Sequence, residues 1–232
     1  MRDVDRYVDS LYIETLNRLE IPYIATHCHR YVIDQNRRPT DFDLESVENA
    51  AHPPGTHTKG LHWCQTTFGE PLILKPMSSA THQELVDKYY TPFHQQIRER
   101  FSAYGSCAVY HLDAHSMPSR GTQAHNDPGE DRADIVVSDF RGKSCHQGFT
   151  HLVIEAYKNQ GFTVAYNWPY FGGGITQMYG RPEQNHHTLQ VELNRKTYMD
   201  EVTKKKNSHF EDTQLRISHA LAHIHKNIPH LS

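Results

Sequence analysis

The chain has 232 residues, 37% of them hydrophobic, and a mean hydropathy of −0.73; that length suits one α/β domain with a modest core and long polar loops better than two small domains. With 24 basic and 27 acidic residues the formal charge is −3, which speaks against nucleic acid or an anionic membrane as a partner. No apolar run nears the ~18 residues of a membrane span, no charged-then-apolar leader opens the chain, and Cys28, Cys64, Cys107 and Cys145 form no CxxC pair, which predicts a reduced, cytoplasmic protein without a zinc–thiolate site.

Val4, Val8, Leu11, Tyr12, Leu16 and Leu19 recur at helical spacing and predict an amphipathic helix over 3–19. Short strands are expected at 21–26 and 30–34, followed over 35–79 by a long loop region rich in Pro, Gly, Thr, Asp and His. Thr81-His82-Gln83-Glu84 reads as a capping box opening a helix that carries Leu85, Tyr89, Phe93, Ile97 and Phe101, kinked or shifted at Pro92. Strands are predicted at 108–112, 133–138, 162–166 and 188–193. Helices are predicted at 147–159, stopped near Gly161, and at about 211–227. Strands alternating with helices predict an α/β layered sandwich with a parallel or mixed sheet.

The apolar run ending at Leu112 leads into Asp113-Ala114-His115-Ser116, which would set a carboxylate and an imidazole at a strand end, where α/β proteins collect ligands. In extended backbone, i and i+2 point the same way, so Asp113 and His115 can act as orienting carboxylate and metal ligand; a loop histidine with a capping aspartate reads equally well. Asp3, Asp5 and Asp9 suit a helix N-terminus electrostatically, and a first-turn carboxylate facing a cleft suits a metal. Asn36-Arg37-Arg38 offers an amide and a guanidinium for a substrate carboxylate, or is a surface pair. Glu192 is a charge in an apolar strand; it either pairs with Arg195 or serves as a general base. Gly172-Gly173-Gly174 lacks the strand-GxGxxG-helix context of a dinucleotide site, and no GxSxG elbow is present.

Taken together, YHLDAHSMPS (110–119), DIVVSDFRGKSC (134–145), NWPYFGGGITQMYGRP (167–182) and HTLQVELNRKTYMDE (187–201) resemble N-formylglutamate amidohydrolases. VDRYVDSLY (4–12), RYVIDQNRR (30–38) and WCQTTFGEPL (63–72) agree in order, so the resemblance covers nearly the whole chain. It implies a cytosolic, zinc-type metallohydrolase forming a single domain over 1–232. The implied fold is a three-layer α/β/α sandwich with a mixed sheet, phosphorylase/hydrolase-like and related in layout to zinc carboxypeptidases. The implied reaction is cleavage of N-formyl-L-glutamate to formate and L-glutamate, late in histidine catabolism. The implied metal ligands are His115 and Asp5, the latter preferred over Asp9, with Asp113 orienting His115. Glu192 becomes the general base, Asn36 and Arg37 bind a substrate carboxylate, and Thr176, Tyr179 and Arg181 line the substrate side. Family members carry an apolar strand and a Pro-His-[Ser/Ala]-Gly ligand before the first helix; here Met1 directly precedes the helix, so the domain is expected to lack that strand and histidine. A same-fold hydrolase of another N-acyl amino acid and an inactive homologue with a binding role are the alternatives. Gly174 and Gln177 stand where many relatives are expected to have a basic residue nearby.

Overall fold

Hydrophobic spacing settles most of the helices. In the computed structural model, which describes residues 3–50 and 59–231, the chain runs through α1 (Val8–Arg18), α2 (Ser79–Leu85), a π-helical turn (Val86–Tyr90), α3 (Thr91–Ser102), β1 (Val109–Met117), β2 (Ile135–Ser138), α4 (Gln147–Lys158), β3 (Val164–Tyr166), α5 (Gly174–Tyr179), β4 (His186–Asn194) and α6 (Phe210–Asn227). Pro92 directly follows the π-helical turn inside a helical run that α2, the turn and α3 form without a break, so the expected shift at Pro92 is taken up by that turn. Gly161, at φ 78°, closes the segment after α4 in the left-handed region that glycine adopts without strain.

Several expected boundaries move. The first helix starts at Val8, because Tyr7 is held at φ 64° and no helix continues through a left-handed residue. Asp3 and Asp5 therefore precede the helix. No strand forms at 21–26 or 30–34; around Val32 and Ile33 the backbone bonds back to the His29 carbonyl, and Asp34 N–H reaches Leu61 O at 2.8 Å. Strand-like composition without a partner strand is not enough to make a strand. The cap of α2 is Ser78, whose Oγ accepts from Thr81 N–H at 3.1 Å, rather than Thr81. The glycine run passes into helix at Gly174, the first residue of α5. The expected loop at 35–79 has isolated bridges only, such as Val47 with Met77 and Gln65 with Pro71; its part at 51–58 lies outside the described residues.

The described residues gather into two compact units. One takes those of Met1–Val4, Ile24–Gly105 and Gly173–Met178, and the other those of Asp5–Tyr23, Ser106–Gly172 and Tyr179–Ser232. The second contains a mixed four-stranded sheet of order β1-β4-β2-β3, with β1–β4 and β2–β3 parallel and β4–β2 antiparallel. Alternation gives this sheet two unlike faces. Leu189, Val191 and Leu193 of β4, with Ile135 and Val137 of β2, join Val8, Leu11 and Tyr12 of α1, Phe149 and Val153 of α4, and Ile217 and Leu221 of α6 in one core. Each fully buried Leu, Ile or Phe there contributes roughly 1.5–3 kcal/mol. Tyr12 and Tyr157 bring hydroxyls into that core and satisfy each other at 2.8 Å. The opposite face carries Asp113 and His115 of β1, Gln190 and Glu192 of β4, and Ser138 of β2. The loop-rich unit has a small core of Ile33, Leu61 and Tyr90. No helix among the described residues is long and apolar enough to cross a membrane.

Candidate active site

The polar face of the sheet unit is organised around His115. β1 does not end at Leu112 as expected; pairing with β4 carries it to Met117, so Asp113 and His115 lie within the strand instead of on a loop. Their i, i+2 spacing puts both on one side, and Asp113 Oδ1 sits 3.0 Å from His115 Nε2. The other ring nitrogen, Nδ1, lies 2.9 Å from Asp5 Oδ2. Asp5 is fixed in turn by Ser116, whose N–H and Oγ–H donate to its Oδ1 at 2.8 and 3.1 Å. Arg195 donates through Nε to Ser116 Oγ at 3.0 Å and through Nη2 to Ser116 O at 3.2 Å, and its Nη2 is 3.9 Å from Asp5 Oδ1. Burial works against a charge on His115, but the carboxylates of Asp113 and Asp5 outweigh it and raise the imidazole well above its usual range.

Glu192 is the register partner of His115 on β4, so the two side chains leave the same face of the sheet side by side. It is buried, and its Oε1 accepts from Gln190 Nε2 at 2.8 Å. The pairing with Arg195 considered from the sequence is replaced by this one: Gln190 shares Glu192's face two residues away, whereas Arg195 turns to Ser116.

In the loop-rich unit, Asn36 and Arg37 are tied down from several sides. Asp34 is buried; its Oδ1 accepts from Asn36 N–H and its Oδ2 from Trp63 Nε1, both at 2.9 Å. Burial alone would raise Asp34, but Arg37, Arg30 and these donors hold its carboxyl below the usual range. Asn36 Oδ1 accepts from Ile175 N–H at 2.8 Å, and Asn36 O from Gly174 N–H at 3.0 Å. The glycine run serves this close approach: a Cβ on Gly173 would stand 2.4 Å from Asn36 Oδ1, and one on Gly174 2.8 Å from the Arg37 backbone. No side chain, basic or otherwise, fits at 174. Arg37 uses Nε on Lys59 O at 2.8 Å and Nη1 on Asn36 O at 2.9 Å, which orients its guanidinium. Thr176 is fully buried in the same unit, with a hydroxyl that has no hydrogen-bond partner.

Tyr179 and Arg181 belong to the sheet unit. Arg181 is exposed and its backbone pairs with His186 at the start of β4, six residues before Glu192. At 3.3 Å per strand residue that sets the backbone of β4 at His186 about 20 Å from that at Glu192. Asp3 accepts from Tyr31 and Thr67 in the loop-rich unit, and Asp9 caps its own neighbour Ser10 on the exposed side of α1. Sequence reasoning missed the anchoring roles of Ser116 and Arg195. Their only signal was position: each immediately follows a site residue or the end of a paired strand.

The donor chemistry at His115 suits a metal of the zinc type. An imidazole nitrogen and a carboxylate oxygen are adjacent, and Asp113 holds the remote ring nitrogen as the carboxylate behind a ligating histidine does. Among the described residues no group of three or more His, Cys, Asp or Glu side chains converges on one point, whereas catalytic zinc usually has three protein ligands.

The sequence profile of N-formylglutamate amidohydrolases matches residues 1–199. An N-formylglutamate deformylase of Pseudomonas aeruginosa is 31% identical over 206 residues, covering 87% of this chain and 73% of that protein. One of Pseudomonas putida is 28% identical over 205 residues, covering 86% and 72%. The crystal structure of an N-formylglutamate amidohydrolase from Ralstonia eutropha JMP134 superposes with a TM-score of 0.84 at 28% identity, covering 97% of this chain and 84% of that one.

Proposed function

The chain belongs to the N-formylglutamate amidohydrolase family, and from that premise we propose that it hydrolyses the formyl amide of N-formyl-L-glutamate to formate and L-glutamate. The observation that carries the reading is the Asp113–His115–Asp5 chain lying in register with buried Glu192 on the polar face of the sheet. Asp5 and His115 are the residues that would hold a divalent metal, zinc by donor type, with Asp113 fixing the ring. Such a metal, when bound, supplies Lewis acidity that polarises a carbonyl and makes water more acidic.

Glu192 takes the proton from the attacking water and returns it to the leaving nitrogen. Gln190, by donating to Oε1, fixes the rotamer of Glu192. Ser116 and Arg195 keep Asp5 in place. We assign Asn36 and Arg37 to a substrate carboxylate, since an anchored guanidinium suits carboxylate recognition, and Thr176, Tyr179 and Arg181 to the substrate side. The reading extends to a three-layer sandwich of zinc-carboxypeptidase-like layout, and to a cytoplasmic role in histidine catabolism.

The test is formate release from N-formyl-L-glutamate by the purified chain, before and after a chelator and with zinc restored. Release that the chelator stops and zinc restores is the expected result. Release indifferent to both would remove the metal from the reading, and release from other N-acyl amino acids alone would move it to another substrate.

A further inference from the structure

Tyr170 stands on the same polar face as Glu192, and nothing in the reaction so far uses it. Its backbone is pinned by Ser138, whose Oγ donates to Tyr170 O at 2.8 Å. Ser138 pairs with Gln190 in the sheet, and two residues back Val136 pairs with Glu192. The phenol end is held by Arg132, which lies just before β2 and donates through Nη1 to Tyr170 Oη at 2.9 Å. Both ends of Tyr170 are thus tied to β2 and to the segment leading into it, the strand that pairs with β4 at Glu192. Consistent with that placement, burial and then the Glu192 carboxylate push the phenol up, so it stays protonated at neutral pH.

Arg132 is locked in place. Its Nε and Nη2 form a buried bidentate pair with Asp127, both at 2.7 Å, and Nη1 also reaches Pro118 O at 3.1 Å. The one hydrogen bond at the Tyr170 hydroxyl among the described residues is the one it accepts. Its own proton is given to no protein acceptor, and an N–H entering the oxygen makes that O–H a stronger donor.

We propose that Tyr170 is a further catalytic residue, whose hydroxyl donates a hydrogen bond to the substrate's carbonyl oxygen as that oxygen gains negative charge. The assignment rests on the amide-hydrolysis reading of Glu192. Water oxygen bonds to the formyl carbon while its proton moves to Glu192. The C=O π pair moves onto oxygen, where Tyr170 stabilises it without releasing its proton. The pair then returns, the C–N bond breaks, and nitrogen takes the proton Glu192 holds; formic acid, which ionises, and the free amine leave. A donor placed for the charged oxygen rather than the ground-state carbonyl acts on kcat more than on KM.

The experiment measures formate release from N-formyl-L-glutamate by the wild-type chain, Tyr170→Phe and Glu192→Gln in parallel. In Tyr170→Phe, Arg132 keeps Asp127 and the Pro118 carbonyl, so the ring position is retained. The expected result is a fall in kcat of about 100- to 1,000-fold with KM changed by less than about threefold. A phosphonate analogue of the tetrahedral species should lose affinity by a like factor, while L-glutamate binds as before. If the wild type is active and Glu192→Gln is not, yet Tyr170→Phe keeps kcat within about threefold, the Tyr170 assignment falls alone. If the wild type releases no formate, the hydrolysis reading fails and takes this assignment with it. Should Tyr170→Phe not fold, 3,5-difluorotyrosine at position 170 keeps the oxygen that Arg132 holds and makes the phenol more acidic. Its alkaline limb in kcat against pH should then move to lower pH, and a profile that superimposes on wild type overturns the proposal.

Discussion

The two units each bury a histidine, with opposite consequences. In the sheet unit, His115 is clamped between Asp113 and Asp5 and is raised well above the ordinary imidazole range despite burial. In the loop-rich unit, His62 is the more deeply buried, and its Nε2 faces His82 Nδ1 at 2.9 Å while Nδ1 lies 3.3 Å from the Val32 carbonyl. Burial, and to a smaller extent the second imidazole, lowers His62 to about 4, with the Val32 carbonyl opposing. Burial is common to both; the charge of the neighbours decides the sign. A histidine between carboxylates is equipped to hold a cation or a proton, whereas a histidine against a histidine is kept neutral and serves packing.

The largest expected effect separates the units by function. Glu192→Gln, one register step from His115, should cut formate release by about 100- to 10,000-fold and leave the thermal unfolding midpoint nearly unmoved. Comparable loss from His62→Gln at neutral pH, in protein that remains folded, would erase the distinction. The next effect is on stability. Unfolded, His62 titrates near 6.5; folded, it stays neutral to about 4. Between those values the unfolded chain takes up a proton that the fold refuses, so stability falls as pH drops from 6.5 and levels off below 4, by about 3 kcal/mol at most. Urea unfolding from pH 7 to 4 should show this slope in the wild type and a flatter one in His62→Gln; parallel slopes would mean that His62 is protonated in the fold.

A smaller change probes the clamp itself. Asp113→Asn removes the charge behind His115 while keeping an acceptor, and activity should drop by about 10- to 100-fold, with more zinc needed for half-maximal rate. An unchanged zinc requirement would leave Asp113 a purely structural role. The smallest effect belongs to the core under the sheet: Tyr12→Phe strips one hydroxyl from the pair with Tyr157 and should cost about 1 kcal/mol in unfolding free energy with no change in rate.

What was legible in the chain follows from local physics. Apolar residues three to four apart marked α1 and the helical run from Leu85 to Phe101, since a helix must bury one stripe. The α/β class followed from the order of strands and helices, which left the sheet parallel or mixed; the antiparallel β2–β4 pair makes it mixed. The i, i+2 spacing of Asp113 and His115 put them on one side, because alternation holds wherever the backbone is extended. The run of motifs, read together, identified the family that the profile and the relatives show.

Tertiary structure decided the rest, because those features depend on partners far away in sequence. Pairing with β4 turned the Asp-x-His segment from a loop into the middle of a strand and set Glu192 opposite His115. The left-handed turn at Tyr7 delivered Asp5 to His115 across 110 positions of sequence, which helical periodicity had assigned to a continuous helix. The glycines at 173 and 174 were spent on the approach of Asn36 and Arg37, which local composition does not record. Tyr170 carried no local signal at all; only its hydrogen bonds from Ser138 and Arg132 tie it to β2, the strand that pairs with β4 at Glu192. Periodicity reports which face of an element is apolar, whereas a site is made by the other face, and its members are chosen by long-range pairing.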